Sequence, residues 1–106
     1  MKDTLVAGDV HYLRFYLQEL NRVTGEISYF DLTNATLVKF RLRKVGSSSN
    51  AIDITGTIEN ATLGLVKFLV TVPLDTGDYK GEIEVSISGN TLTWKDIYYE
   101  IEEQLG

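Results

Sequence analysis

Cysteine is absent from the 106 residues, and histidine occurs once, at position 11. Without cysteine there is no disulfide, no thiolate nucleophile and no Cys-based zinc site, so the core alone must hold the fold, and a reducing cytosol suffices for folding. His11 by itself cannot make a multi-histidine metal site, and any histidine-assisted nucleophile would depend on it alone. No apolar run approaches the ~20 residues a helix needs to cross a bilayer. The opening "MKDTLVAGDVHYL" has no uninterrupted apolar stretch, so no signal peptide is expected. Positive charge is scarce: ten Lys and Arg against fifteen Asp and Glu leave a formal charge of −5. That balance argues against nucleic acid as a partner, because such binding rests on neutralising phosphates. No glycine pattern cradles a phosphate ahead of a helix, and no Asp-x-Asp-x-Asp-Gly calcium loop occurs. No metal, cofactor or membrane partner is expected.

What the chain does contain is alternation. Leu13, Phe15 and Leu17 share one parity, and Tyr12, Arg14, Tyr16 and Gln18 the other. Val38, Phe40 and Leu42 alternate with Lys39, Arg41 and Arg43. Ile52, Ile54 and Ile58 line up with Gly56 among them, and Val66, Phe68, Val70 and Val72 follow. Tyr79, Gly81, Ile83, Val85 and Ile87 face away from Lys80, Glu82, Glu84 and Ser86. A period of two is the mark of half-buried strands. The last run breaks step, since Leu92 and Trp94 have one parity and Ile97, Tyr99 and Ile101 the other. One extra residue near Lys95-Asp96, a β-bulge, reconciles them.

Short polar connections separate these runs. Ser88-Gly89-Asn90-Thr91 suits a two-residue hairpin turn in which Gly and Asn take positive φ. Asn60 to Gly64 suits a longer hairpin loop, and Val23 to Glu26 a turn before a short strand around Ile27 to Phe30. No segment has helical periodicity, and there is neither a repeat nor a linker. Residues 1–106 are therefore expected to form a single all-β domain: an antiparallel β-sandwich of seven to eight strands, with a small barrel as the rival.

The stretch "TVPLDTGDYKGEIEV" admits two chemistries. Asp75-Thr76-Gly77 spells the tripeptide of retroviral-type aspartic proteases, where two carboxylates share a proton. That family wants Ala or Ser after the glycine, whereas Asp78 stands here, and too little chain follows for the flap and the second packing motif. The other reading is a turn. Pro73 closes a strand, Asp75 makes an Asx-type turn, and Gly77 supplies an unusual φ. The spacing Asp75-x-Gly77-x-Tyr79 is similar to the tyrosine corner of immunoglobulin-like sandwiches, with Gly81 where antibody domains carry a cysteine. The turn is preferred, and no catalytic residue is assigned.

"YFDLTNATLVKFRLRK", Tyr29 to Lys44, resembles the "D-L-T-G-A-x-V-x-F-x-x-R" segment of the N-terminal domain of phage baseplate upper proteins. Asp31, Leu32, Thr33, Ala35 and Phe40 match, and Asn34 stands for the glycine, a change read as tolerable because Asn also visits left-handed backbone. Asn60 to Val66 resembles that family's turn-Gly-x-Val entry to a strand, and Val72 to Ile87 its later run through Gly77, Tyr79, Glu82 and Val85. Related domains recur in tail, fibre and head-fibre proteins. The resemblance implies an immunoglobulin-like fold and a non-enzymatic structural role in a phage virion, in its tail or baseplate. Assembly in the bacterial host cytoplasm is implied too, with other virion proteins, or the chain itself, as partners.

The interaction surface expected for that role is the outward row Tyr12, Arg14 and Tyr16, since Tyr and Arg are enriched where proteins meet. A covering loop, or a first strand buried on both faces, is the alternative account of that row. A rival function is a carbohydrate-binding or adhesin-like module using Trp94 and Tyr98 as a stacking platform, which exposure of both rings would favour. The row Lys39, Arg41, Arg43 and Lys44 admits contact with phosphate, but a cross-strand match to Glu82 and Glu84, or plain solvation, is the preferred reading.

Overall fold

The computed structural model describes residues 3–105. Within them the alternating runs form ten strands: β1 (Asp3–Val6), β2 (Val10–Tyr16), β3 (Gln18–Leu20), β4 (Ile27–Tyr29), β5 (Ala35–Lys44), β6 (Ile52–Thr55), β7 (Thr57–Asn60), β8 (Leu65–Thr71), β9 (Gly77–Ile87) and β10 (Asn90–Glu102). They make a five-stranded sheet in the order β1-β10-β9-β5-β6, a three-stranded sheet β2-β8-β7, and a separate two-stranded ribbon β3-β4. All pairings are antiparallel except β1 with β10.

The count exceeds the seven to eight strands expected, for three local reasons. The run from Ile52 to Asn60 is cut at Gly56, where the chain leaves the five-stranded sheet as β6 and enters the three-stranded one as β7. The first long run is cut at Leu17, beyond which β3 pairs only with β4. Residues near the N-terminus add β1, too short to be legible as an alternation.

The inward parities of the two larger sheets meet in one core. Val38, Phe40, Leu42, Val66, Phe68, Val70, Ile83 and Val85 are all at most 2% exposed. Phe40 of the five-stranded sheet lies 5.5 Å from Phe68 and 5.8 Å from Phe15 of the other, ring centroid to centroid. No charged residue is buried among the described residues, and the polar side-chain atoms inside are the hydroxyls of the buried tyrosines Tyr79 and Tyr99.

The irregular points are those where geometry and pattern conflict. The β9–β10 register shifts between Trp94 and Ile97, and Asp96 takes a φ of 66°, which is the bulge the parity break requires. The hairpin turn between these strands lies one residue earlier than the sequence suggests. Ile87 pairs with Asn90, so the loop is Ser88-Gly89, with φ of 50° and 78°. Asn34 does not have positive φ, so its position does not call for the left-handed freedom invoked for it.

The β3-β4 ribbon stands apart from the core. Every residue from Gln18 to Tyr29 is exposed, and the molecule extends 47 × 26 × 25 Å. A two-stranded hairpin is marginal alone in water, so its root must be held. Leu17 N–H donates to the Gly64 carbonyl at 2.8 Å, Phe30 N–H to the Leu17 carbonyl at 2.8 Å, and the Trp94 indole N–H to the Gln18 carbonyl at 2.9 Å.

Candidate functional site

The link between β8 and β9 carries the Asp-Thr-Gly tripeptide. Asp75 is exposed at its surface, and its carboxylate accepts from Lys44 Nζ at 3.0 Å instead of folding back onto the chain, so the expected Asx-type turn is replaced by a cross-strand ion pair. Gly77 opens β9 at a φ of 132°. Tyr79 is 1% exposed, and its hydroxyl donates to the Asp75 backbone carbonyl at 2.5 Å. Burial, helped by the nearby Asp75 charge, pushes the phenol above its ordinary pKa and keeps the proton that this bond needs. Tyr79→Phe removes the donor and leaves the carbonyl without it. The expected cost is about 1–2 kcal/mol with the fold retained, read as a lower urea midpoint at unchanged slope; an unchanged midpoint would show that the bond contributes nothing.

The "Asp-Leu-Thr" letters are equally structural. Both the backbone N–H and the hydroxyl of Thr33 donate to Asp31 Oδ1, which holds that carboxyl below its usual range, while Leu32 plugs the core at 1% exposure. The motif terminates the ribbon and aims the chain into β5.

On the outer face of the three-stranded sheet, Tyr12 and Tyr16 are 54% and 56% exposed, and neither a loop nor a second sheet covers them. Arg14 is not free. Its Nε donates to Glu59 Oε1 at 3.0 Å, and Glu59 also meets Lys67 at 3.3 Å. These bonds hold the Glu59 carboxyl below its usual range. The Arg14 and Lys67 cations flank the Tyr12 ring at 5.6 and 5.1 Å from its centroid, a distance at which each attracts the π face. The row expected from the sequence ends at Tyr16. The structure carries it into the ribbon, where Tyr29 lies 5.6 Å from Tyr16, ring to ring, and Leu20 pairs with Ile27. The alternation of Tyr16, Gln18 and Leu20 was the available signal.

The open edges differ in length. β1, β6 and β7 each have four residues, and β7 carries a register shift between Ile58 and Asn60. β2 pairs seven residues with β8 without a break, and its other side has no strand neighbour among the described residues. Short or bulged edges resist pairing with another chain, whereas a long regular one invites it.

No protein-family model matches this chain, and no curated protein sequence matches it. Among the described residues, no cluster of three or more His, Asp or Glu side chains is arranged to hold a metal ion. His11 is exposed, 3.6 Å from Asp9. Trp94 and Tyr98 do not form a platform. Trp94 pairs with Ile83 on the inner face and packs edge-on against Phe30 at 5.1 Å, whereas Tyr98 pairs with Lys80 on the outer face. The bulge between them puts the two rings on opposite sides of one sheet. In the cationic row, Lys39 meets Asp53 at 3.1 Å, and Arg41 meets Glu84 at 2.6 Å, Asp53 at 3.4 Å and Glu82 at 3.6 Å. Glu84 and Asp53 are both held below their usual range by hydrogen bonds, from Arg41 and Lys39 respectively.

Proposed function

We propose that this chain is an immunoglobulin-like β-sandwich that serves as a non-enzymatic docking component of a phage particle, in its tail or baseplate. The fold reading is supported by two sheets ordered β1-β10-β9-β5-β6 and β2-β8-β7, with a buried tyrosine tied back at the β8–β9 corner. The β3-β4 ribbon is then an insertion between the second and third sandwich strands. The phage assignment rests on the resemblance of Tyr29 to Lys44 and Val72 to Ile87 to baseplate upper proteins.

The observation that carries the docking role is the free β2 edge. Its seven residues pair with β8 without a break, its other side has no strand neighbour among the described residues, and it is bordered by half-exposed Tyr12 and Tyr16. A partner strand can add to its backbone groups while the aromatic rings supply contact area at little entropic cost. The partner is a neighbouring virion protein or a second copy of the chain. Tyr16→Glu places a charge in this strip without touching Leu13, Phe15 or Leu17. The expected result is an unchanged circular-dichroism spectrum, with assembly weakened at least tenfold by light scattering or pull-down of the adjacent virion protein. Undiminished assembly would move the docking surface elsewhere.

A further inference from the structure

The outer face of the five-stranded sheet holds a cavity of about 400 Å³, lined by Arg41, Arg43 and Asn50 from the β5–β6 side, Lys80, Gly81 and Glu82 from β9, and Lys95, Asp96 and Tyr98 from β10. Small-ligand sites fall in this size range. Its charge is unusual for an acidic protein, with four cations against two carboxylates on the walls.

The cross-strand register shows why the cations matter. Arg43 lies directly opposite Lys80, and Lys80 opposite Tyr98, so two like charges and a phenol form one row. Like charges directly opposite destabilise a sheet. Elsewhere on this face the cations are matched, as Lys39 and Arg41 are by Asp53 and Glu84. Among the described residues neither Lys80 nor Lys95 has an ion-pair partner. Arg43 donates its Nε to Asn50 Oδ1 at 3.1 Å, which orients the guanidinium and leaves its two terminal nitrogens for another acceptor. The two wall carboxylates are already engaged: Glu82 lies 3.6 Å from Arg41, and Asp96 Oδ1 accepts from the Tyr98 hydroxyl at 3.3 Å.

The bulge completes the arrangement. Trp94 pairs with Ile83 and Ile97 with Gly81, so one extra residue is accommodated at Lys95-Asp96. Without it Tyr98 would turn inward in place of Ile97. With it Lys95, Asp96 and Tyr98 all reach the same cavity, and Tyr98 remains 45% exposed.

We infer that this cavity binds a sugar-sized ligand carrying one anionic group, phosphate or carboxylate. Arg43, Lys80 and Lys95 receive the anion, and the Tyr98 ring with the Asn50 amide contacts the sugar body. The anion relieves the repulsion between Arg43 and Lys80, so the free protein carries a small instability that the ligand removes. This site lies on the opposite sheet from β2 and does not depend on the docking role.

The test is an NMR titration of labelled protein with glucose 6-phosphate, glucuronate, inorganic phosphate and glucose, alongside thermal melts. One of the two anionic sugars should shift the amides of Gly81 and Lys95 to Tyr98 and bind more tightly than both inorganic phosphate and glucose. The double variant Lys80→Gln/Lys95→Gln should weaken that binding at least tenfold. It should also melt at a higher temperature than the parent without ligand and lose the ligand-induced rise. Tyr98→Ala should reduce the preference for the anionic sugar over inorganic phosphate. The inference is overturned if neither anionic sugar binds better than inorganic phosphate, or if the double variant binds as the parent does.

Discussion

Gly56→Ala is expected to destabilise the protein by about 3 kcal/mol or more, at the upper end of the penalties measured for overpacked cores. Gly56 is the residue at which one strand changes sheets, and its N–H donates to the Val38 carbonyl at 2.9 Å. A β-carbon there would overlap the Phe68 ring and lie 2.5 Å from the Lys67 backbone carbonyl oxygen. The ring cannot retreat, because Phe68 is fully buried and packed against Phe15 and Phe40. The carbonyl cannot retreat either without disturbing the β7–β8 ladder, in which Lys67 pairs with Thr57. Alanine also restricts the unfolded chain, worth about 0.4–1 kcal/mol in the opposite sense, so the clash decides the sign. Gly81→Ala offers a graded comparison. Its β-carbon would approach Arg41 O at 3.1 Å and Phe40 and Leu42 side-chain atoms at 3.2 Å, distances that small shifts can relieve. Urea midpoints should fall far more for Gly56→Ala than for Gly81→Ala; similar midpoints would mean the sheet-switching corner is soft.

Phe68→Ala is expected to cost about 3–5 kcal/mol, the usual range for removing a buried aromatic ring. Phe68 sits where the two sheets meet, with its ring centroid 6.1 Å from Phe15 and 5.5 Å from Phe40. Its removal leaves a cavity between sheets whose spacing is set by many other contacts, so collapse is limited. Against a total stability of about 5–15 kcal/mol for a domain, the variant should unfold at much lower denaturant. Leu69→Ala is the internal control. Leu69 is the next residue on the same strand but points outward and is 54% exposed, so its change should stay within about 0.5 kcal/mol. Equal costs would mean that Phe68 and Leu69 do not point to opposite faces of β8.

The contrast between Phe68 and Leu69 rests on parity, and parity was the most legible property of the chain. Val66, Phe68 and Val70, like Val38, Phe40 and Leu42, lie inside because side chains alternate strictly along a strand and only one face can be apolar. The bulge at Lys95-Asp96 was legible for the same reason, since Trp94 and Ile97 cannot both face the core without an extra residue. The Asp75-x-Gly77-x-Tyr79 spacing likewise places a phenol within reach of a carbonyl four residues upstream.

The sequence by itself thus determined which side chains of each run face the core and where the alternation slips, because those follow from local geometry with a period of two. Only the tertiary structure decided which strands are neighbours, and everything long-range follows from that. Gly56 looks like one more residue in an alternating run until Phe68 and Lys67 from another strand close over it. Trp94 and Tyr98 look like a pair until the bulge sends them to opposite faces. Arg43 and Lys80, far apart along the chain, become opposed charges only when β5 pairs with β9. Tyr12 and Tyr16 mark an open edge only because, among the described residues, no strand lies beyond β2. Pairing between distant segments is chosen by the summed burial of all faces at once, a quantity that no single stretch of sequence contains.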